Sequence, residues 1–401
     1  MTHPATPLHD RSSLLEVFGI FLRLGCTSFG GPVAHLGYFR QEFVQRRRWL
    51  DDAAYADLVA MCQFLPGPAS SQVGIGLGLL RRGLPGALLA WLGFTLPSVL
   101  ALVLFAQFLA GLSPAAQPAW LHGLKVCAVA VVAQALWGMG RTLCPDRPRA
   151  TLAALAAAAA LLVPGPAGQL AVLGLAGLAG CLFLAPPAGA AEVVAPERPL
   201  GARGALVALL VFAALLLLLP LWARQSSGLG VQMFDVFYRS GALVFGGGHV
   251  VLPVLQAEVV PRGWVDRNLF LAGYGAAQAV PGPLFTFAAF LGAAAVPGLQ
   301  GWLMAGLAVL AIFLPGFLLV LGVLPLWARV RHLAVLQRAL QGVNTAVVGL
   351  LLAAFYQPVW TGGIQAAPDF VMALLAFVAA VFWRVPPWAL VVACALVAGR
   401  F

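Results

Sequence analysis

Charge is what this 401-residue chain has least of: Asp, Glu, Lys and Arg together make up 9% of it. Soluble domains carry about 25%, so the chain lacks the polar surface to keep a globule of this size in water. With 62% hydrophobic residues and a mean hydropathy of +0.95, it reads as an integral membrane protein. Lysine is nearly missing, Lys125 being the single one, and the net charge of +10 is carried by arginines. Most of these flank apolar segments, where Lys and Arg hold loops on the cytoplasmic side. The basic balance therefore reads as topology, with the lipid bilayer and no nucleic acid as partner.

Cysteine is scarce and scattered: Cys26, Cys62, Cys127, Cys144, Cys181 and Cys394 stand singly, which excludes a disulfide framework. The six histidines have no metal-ligand spacing, and no HExxH, Cys–His or carboxylate-dyad pattern occurs. No enzyme activity, metal or cofactor is expected. The first thirteen residues are polar, and the apolar stretch after them holds Glu16 and Arg23 with no small-residue cleavage site; a removable signal peptide is not expected. Long apolar runs without alternation exclude a β-barrel and require helices.

What is abundant is glycine and proline, 45 and 29 residues, placed inside apolar sequence. They mark an internal repeat. Arg23, Gly25, Phe29, Gly30 and Gly31 fall on Arg239, Gly241, Phe245, Gly246 and Gly247. Glu42, Trp49 and Asp51 fall on Glu258, Trp264 and Asp266; Gln63, Pro66, Gly67 and Pro68 on Gln278, Pro281, Gly282 and Pro283; Pro97 on Pro315; Gly123 on Gly342. The loop charges alternate oppositely in the two copies. Arg81 and Arg82, uncharged 111–119, then Arg141, Arg147 and Arg149 stand against uncharged 296–300, then Arg329, Arg331 and Arg338, then 357–369 without Arg or Lys. By the positive-inside rule the copies insert upside down to one another.

The expectation is an all-α polytopic membrane protein of two inverted-topology repeats with Gly/Pro-broken helical hairpins and about 10 to 13 membrane segments. Residues 1–13 form a polar N-terminal segment, 14–185 the first repeat, 186–230 a linker with the crossing helix 204–222, and 231–401 the second repeat. This places the N-terminus in the cytoplasm and the C-terminus outside.

Candidate binding residues lie in the broken hairpins. In Gln63 to Pro68 and Gln278 to Pro283, two prolines around a glycine stop one helix and start another. Pro66, Pro68, Pro281 and Pro283 are the hinges, and the new helix starts point N–H groups and a positive dipole end into the membrane interior, where an anion fits. Ser70, Ser71 and Gln72 in the first copy, and Thr286 in the second, sit in the first turn and could add donors beside Gly67 and Gly282. The alternative is that Pro-Gly-Pro only kinks packed helices. Gly30 and Gly31, matched by Gly246 and Gly247, permit open turns with free N–H groups; His35 and His249 beside them either contact the ligand or make a plain hydrogen bond. Arg23 and Arg239 sit inside apolar sequence, where charge is costly and functional by default; two guanidiniums could face one central oxyanion. Snorkelling, or pairing with Glu16 or Asp235, is the other reading. Lys125, matched by Asn344, either lines the pathway or sits at an interface, and His122 lies one turn before it on the same face. The acids Glu42, Glu258, Asp51, Asp52 and Asp266 read as loop salt bridges.

Phe29-Gly30-Gly31-Pro32-Val33-Ala34-His35, then Arg46-Arg47-Arg48-Trp49-Leu50 and Gln63 to Pro68, closely resemble the chromate ion transporter family, and Phe245 to Val250 with Gln278 to Pro283 resemble the second half of its long members. The resemblance covers nearly the whole chain. It implies a prokaryotic inner-membrane secondary transporter that expels chromate and confers resistance, with sulfate as the related dianion. A transporter of another anion, such as sulfate or molybdate, is the alternative. Protons as coupling ion, through Glu16, Asp235 or His35, and a homodimer are further expectations.

Overall fold

The structure is a computed structural model and describes residues 13–111, 119–185, 201–245, 248–296, 298–327, 331 and 333–399. Among these, every regular element is helical. Residues 1–12 of the N-terminal segment, the 186–200 stretch of the linker, and the glycines Gly246 and Gly247 lie outside the described residues.

The first half contains α1 (Leu14–Thr27), α2 (Gly31–Phe39) with a π-helical turn at Arg40–Arg46, α3 (Asp52–Phe64), α4 (Ala69–Ala110), α5 (Ala119–Leu143), α6 (Arg147–Leu162) and α7 (Pro166–Phe183). After α8 (Ala202–Gln225) the second half repeats the order: α9 (Leu229–Leu243), α10 (Val251–Val259), α11 (Arg267–Ala277), α12 (Phe287–Ala295), α13 (Gly298–Val323), α14 (Ala334–Ala354), α15 (Ala367–Val381) and α16 (Pro387–Ala398). Among the described residues, five helical stretches are long and apolar enough to cross a membrane: 69–110, 119–143, 202–225, 298–326 and 334–363. The 42 residues of α4 are two helices end to end, because Arg82 and Gly83 leave helical geometry just before Pro85. The corresponding break in the second half is complete, between α12 and α13.

Local chemistry explains the starts. Asp51 and Asp266, matched in the two copies, cap α3 and α11 by accepting from Ala54 N–H and from Asn268 and Leu269 N–H. These two acids are therefore helix caps and not loop ion pairs, each adding about 1 kcal/mol; Asp52 does pair with Arg40, on an exposed face.

Packing between the halves is an exchange. The last two helices of each half lie on the long helix of the other: α6 and α7 pack on α14, and α15 and α16 pack on α5. Glycine sets each approach. A methyl group on Gly342 would strike the Ala176 carbonyl of α7, and one on its counterpart Gly123 would strike the Cys394 carbonyl of α16. The same holds within each half, where Gly25 of α1 lies on the Phe94 carbonyl of α4 and Gly241 of α9 on the Ile312 carbonyl of α13. Small residues let backbones close up where lipid supplies no hydrophobic drive. The helix α8 packs on α13 and α9 and leaves leucines such as Leu217 and Leu218 outward, as a lipid-facing helix does. Gly342→Val should abolish monodisperse, folded protein in size-exclusion chromatography, whereas Gly306→Val, with open space around it, should elute as the wild type; equal behaviour of the two would contradict this packing.

Candidate functional site

Each half breaks its chain at two matched places, between α1 and α2 and between α3 and α4 in the first, and between α9 and α10 and between α11 and α12 in the second. A broken helix exposes backbone polar groups that hydrocarbon cannot satisfy. Here each half satisfies the other. The N–H of Gly67, in the first Pro-Gly-Pro, donates to the Val244 carbonyl at 2.6 Å, and the N–H of Gly282, in the second, donates to the Ser28 carbonyl at 2.9 Å. Ser28 and Val244 are themselves corresponding residues, each just before Phe-Gly-Gly. Both glycines have positive φ, +118° and +97°, a region closed to most side chains. Pro32 of the first half packs against Gly248 of the second, its own counterpart.

Side chains close the crossing. The Pro281 carbonyl accepts from Ser98 Oγ at 2.6 Å, and the Pro66 carbonyl from Gln72 Nε2 at 2.8 Å. Ser98 has Gly316 as its counterpart, and the Gln72 side chain fills the space that this glycine leaves. Ser70, Ser71 and Gln72 lie buried in the first turn of α4, whose start has no side-chain cap. Thr286 is buried too, but its hydroxyl donates to the Pro283 carbonyl. His35 joins Ser28 to Ser70, and His249 reaches Tyr274. Gln63 is exposed, while Gln278 is partly buried. Five buried polar atoms in or beside the breaks have no hydrogen-bond partner: Ser28 Oγ, Ser71 Oγ, Gln72 Oε1, Thr95 Oγ1 and Gln278 Nε2. Ser28 and Thr95 were missed in sequence as site residues, since single hydroxyls in apolar helices carry no spacing signal.

The intramembrane arginines are neutralised rather than open. Arg23 Nη2 lies 2.7 Å from Glu42 Oε2, and Glu42 also takes Arg46 and Arg47, the latter reaching Glu16. In the second half Arg239 grips Asp235 through two nitrogens and Glu258 through the third, with Arg262 on the far oxygen of Glu258. Arg23, Glu42 and Arg46 thus match Arg239, Glu258 and Arg262 position for position. The two sets differ in access: the Arg23 side chain is 49% exposed and that of Arg239 18%. Lys125 sits away from these groups, where α5 meets α11, with Nζ 3.4 Å from Asn268 Oδ1, and His122 pairs with Asp369 at 2.8 Å. Among the described residues no cluster of His, Cys, Asp and Glu could hold a metal.

The chromate transporter profile matches this chain twice, over residues 15–181 and 231–399. The chain belongs to the chromate transporter family. Among its relatives, the chromate transport protein of Pseudomonas aeruginosa is 29% identical over 84% of this chain and 79% of its own length. The probable chromate transport protein of Synechococcus elongatus is 27% identical over 98% and 96%, and the chromate transport protein of Cupriavidus metallidurans 28% identical over 85% and 82%. No solved structure matches the chain. The two profile matches of this family member begin beside α1 and α9, so each matched stretch carries one pair of breaks and one arginine–glutamate set.

Removing Arg239 would strand Asp235, 4% exposed, and leave Glu258 only Arg262; breaking such a buried pair costs about 3–5 kcal/mol. Arg239→Ala should therefore lower the thermal unfolding temperature in detergent markedly. Arg23→Ala should lower it much less, since Glu42 keeps both Arg46 and Arg47. Equal losses would contradict this difference between the two sets.

Proposed function

We propose that the chain exports chromate across the inner membrane by alternating access, holding the dianion where the two broken hairpins meet. The observation that carries this reading is the reciprocal locking of the breaks beside buried, unpartnered hydroxyl and amide groups, in a member of the chromate transporter family. The names of the relatives support chromate as the substrate; sulfate, of the same shape and charge, is the expected competitor.

Burying a dianion without compensation costs tens of kcal/mol. With the arginines already paired to carboxylates, the compensation in this reading comes from neutral donors. These are the uncapped start of α4 with Ser70 and Ser71, the hydroxyls of Ser28 and Thr95, and the N–H groups of Gly30 and Gly31. Gly67 and Gly282, with Pro66, Pro68, Pro281 and Pro283 beside them, are the hinges about which the tips part. Arg23 and Arg239, paired with their carboxylates, anchor the hairpins, and Lys125 supplies positive charge where α5 meets α11. The opposite loop charges of the two halves support inverted insertion, and an inverted pair converts inward-open to outward-open by exchanging the conformations of its halves. An inside-negative potential favours expulsion by about 2.3 kcal/mol per charge per 100 mV.

Everted membrane vesicles should take up labelled chromate when energised, sulfate should compete, and Ser71→Ala should lower uptake about tenfold at equal abundance, the effect of one hydrogen bond to an ion. Wild-type vesicles with no chromate flux would sink the substrate assignment. Comparing an imposed pH gradient with an imposed voltage in proteoliposomes separates proton coupling from uniport.

A further inference from the structure

The two histidines of the repeated Phe-Gly-Gly segments hold corresponding places in sequence, yet they are bonded differently. His35 is 1% exposed and uses both ring nitrogens, Nδ1 at 3.3 Å from Ser70 Oγ and Nε2 at 3.2 Å from the Ser28 carbonyl. Since the Ser28 carbonyl also takes the Gly282 N–H, this imidazole braces the crossing and has no ring nitrogen left for a ligand. His249 is only partly buried. Its Nδ1 lies 3.0 Å from the Tyr274 hydroxyl, and its Nε2 has no hydrogen-bond partner among the described residues. That nitrogen faces the other half: a methyl group on Gly31 would stand 3.9 Å from it. Gly31, Pro32 and Gly282 are likewise only partly buried, so the space around the ring is not closed by packing.

The groups behind His249 give it a direction. Gln278 stands four residues after Tyr274, and its Nε2 is buried without a hydrogen-bond partner. With the Tyr274 O–H donating to His249 Nδ1, the phenol oxygen is an acceptor for the Gln278 N–H, and the neutral imidazole is held in the tautomer that carries its proton on Nε2. The first half has no such chain, because the residue matching Tyr274 is Val59 and Gln63 is exposed.

We propose that His249, and not His35, is the imidazole that contacts the transported oxyanion, donating Nε2–H beside Gly31, with Tyr274 and Gln278 as the positioning residues that fix its tautomer. This rests on the transport reading above and assigns the site a one-sided character: the second half supplies the side-chain donor and the first half the backbone tip. A proton-free tetrahedral dianion, which only accepts hydrogen bonds, is the ligand such a donor fits.

The test measures chromate transport kinetics in proteoliposomes, together with thermal stabilisation of the purified full-length protein by chromate and by sulfate. His249→Ala should raise the KM for chromate about 10- to 100-fold, the range for a hydrogen bond to an ion. His249→Gln, whose amide N–H reaches the place of Nε2, should recover much of that loss. Tyr274→Phe should raise KM with the maximal rate kept and the unliganded melting temperature little changed. His35→Gln should lower the melting temperature yet leave the KM near the wild-type value. A wild-type KM in His249→Ala would overturn the assignment, as would a wild-type KM in His249→Phe, which keeps the ring's bulk without a donor, should the alanine variant not fold. A wild-type protein neither stabilised by nor transporting chromate or sulfate would overturn the transport reading itself, which is a separate result.

Discussion

A peptide group at membrane depth has no water to turn to, and the whole architecture answers that constraint. Four breaks in the helical chain, two in each half, bring unpaired N–H and C=O groups into the apolar interior. The structure pairs the glycine N–H of each Pro-Gly-Pro with the carbonyl that ends the first helix of the opposite half. Neither half can make this bond alone. The exchanged packing of α6 and α7 on α14, and of α15 and α16 on α5, holds the two halves at the distance this pairing needs. Glycines at the contact points, Gly123 and Gly342 above all, set that distance by letting helix backbones touch.

Charge follows the same economy. Arg23 and Arg239 are each met by a glutamate from the next helical segment, so that Arg23 with Glu42 and Arg239 with Glu258 pin the first helix of a half to its second. Asp235 adds a further carboxylate in the second half only, and Glu16 with Arg47 a further pair in the first only. Neutralised in this way, the arginines hold the hairpins in shape and leave the crossing itself lined by hydroxyl, amide and backbone groups.

Much of this was legible beforehand because it depends on local rules. Two prolines flanking a glycine cannot stay helical, so the breaks at Pro66 to Pro68 and Pro281 to Pro283 are where the residues place them. A chain with so little charge and such long apolar runs has to be a helical membrane protein. The roles of the acids were less legible. Asp51 and Asp266 sit beside basic loops and read as ion pairs, yet they cap α3 and α11, because a short side chain one residue before a helix finds N–H groups closer than any guanidinium. Gln63 and Gln278 recur together in sequence but differ in burial, since what lies over each is decided by the other half of the molecule.

Composition, proline–glycine placement and the repeated Arg, Glu and Phe-Gly-Gly residues thus determined the helical class, the membrane character and where the helices stop. These follow from solvation and backbone sterics acting over a few residues. Only the tertiary structure decided which carbonyl each Pro-Gly-Pro glycine meets, which carboxylates hold Arg23 and Arg239, and that His35 is fully bonded while His249 keeps a ring nitrogen turned toward Gly31. The Pro-Gly-Pro bonds and the His249–Gly31 contact join residues about 180 to 250 positions apart, and even the nearer arginine pairings join residues up to 19 apart; a repeat in sequence specifies that two such partners exist without specifying that they are bonded alike.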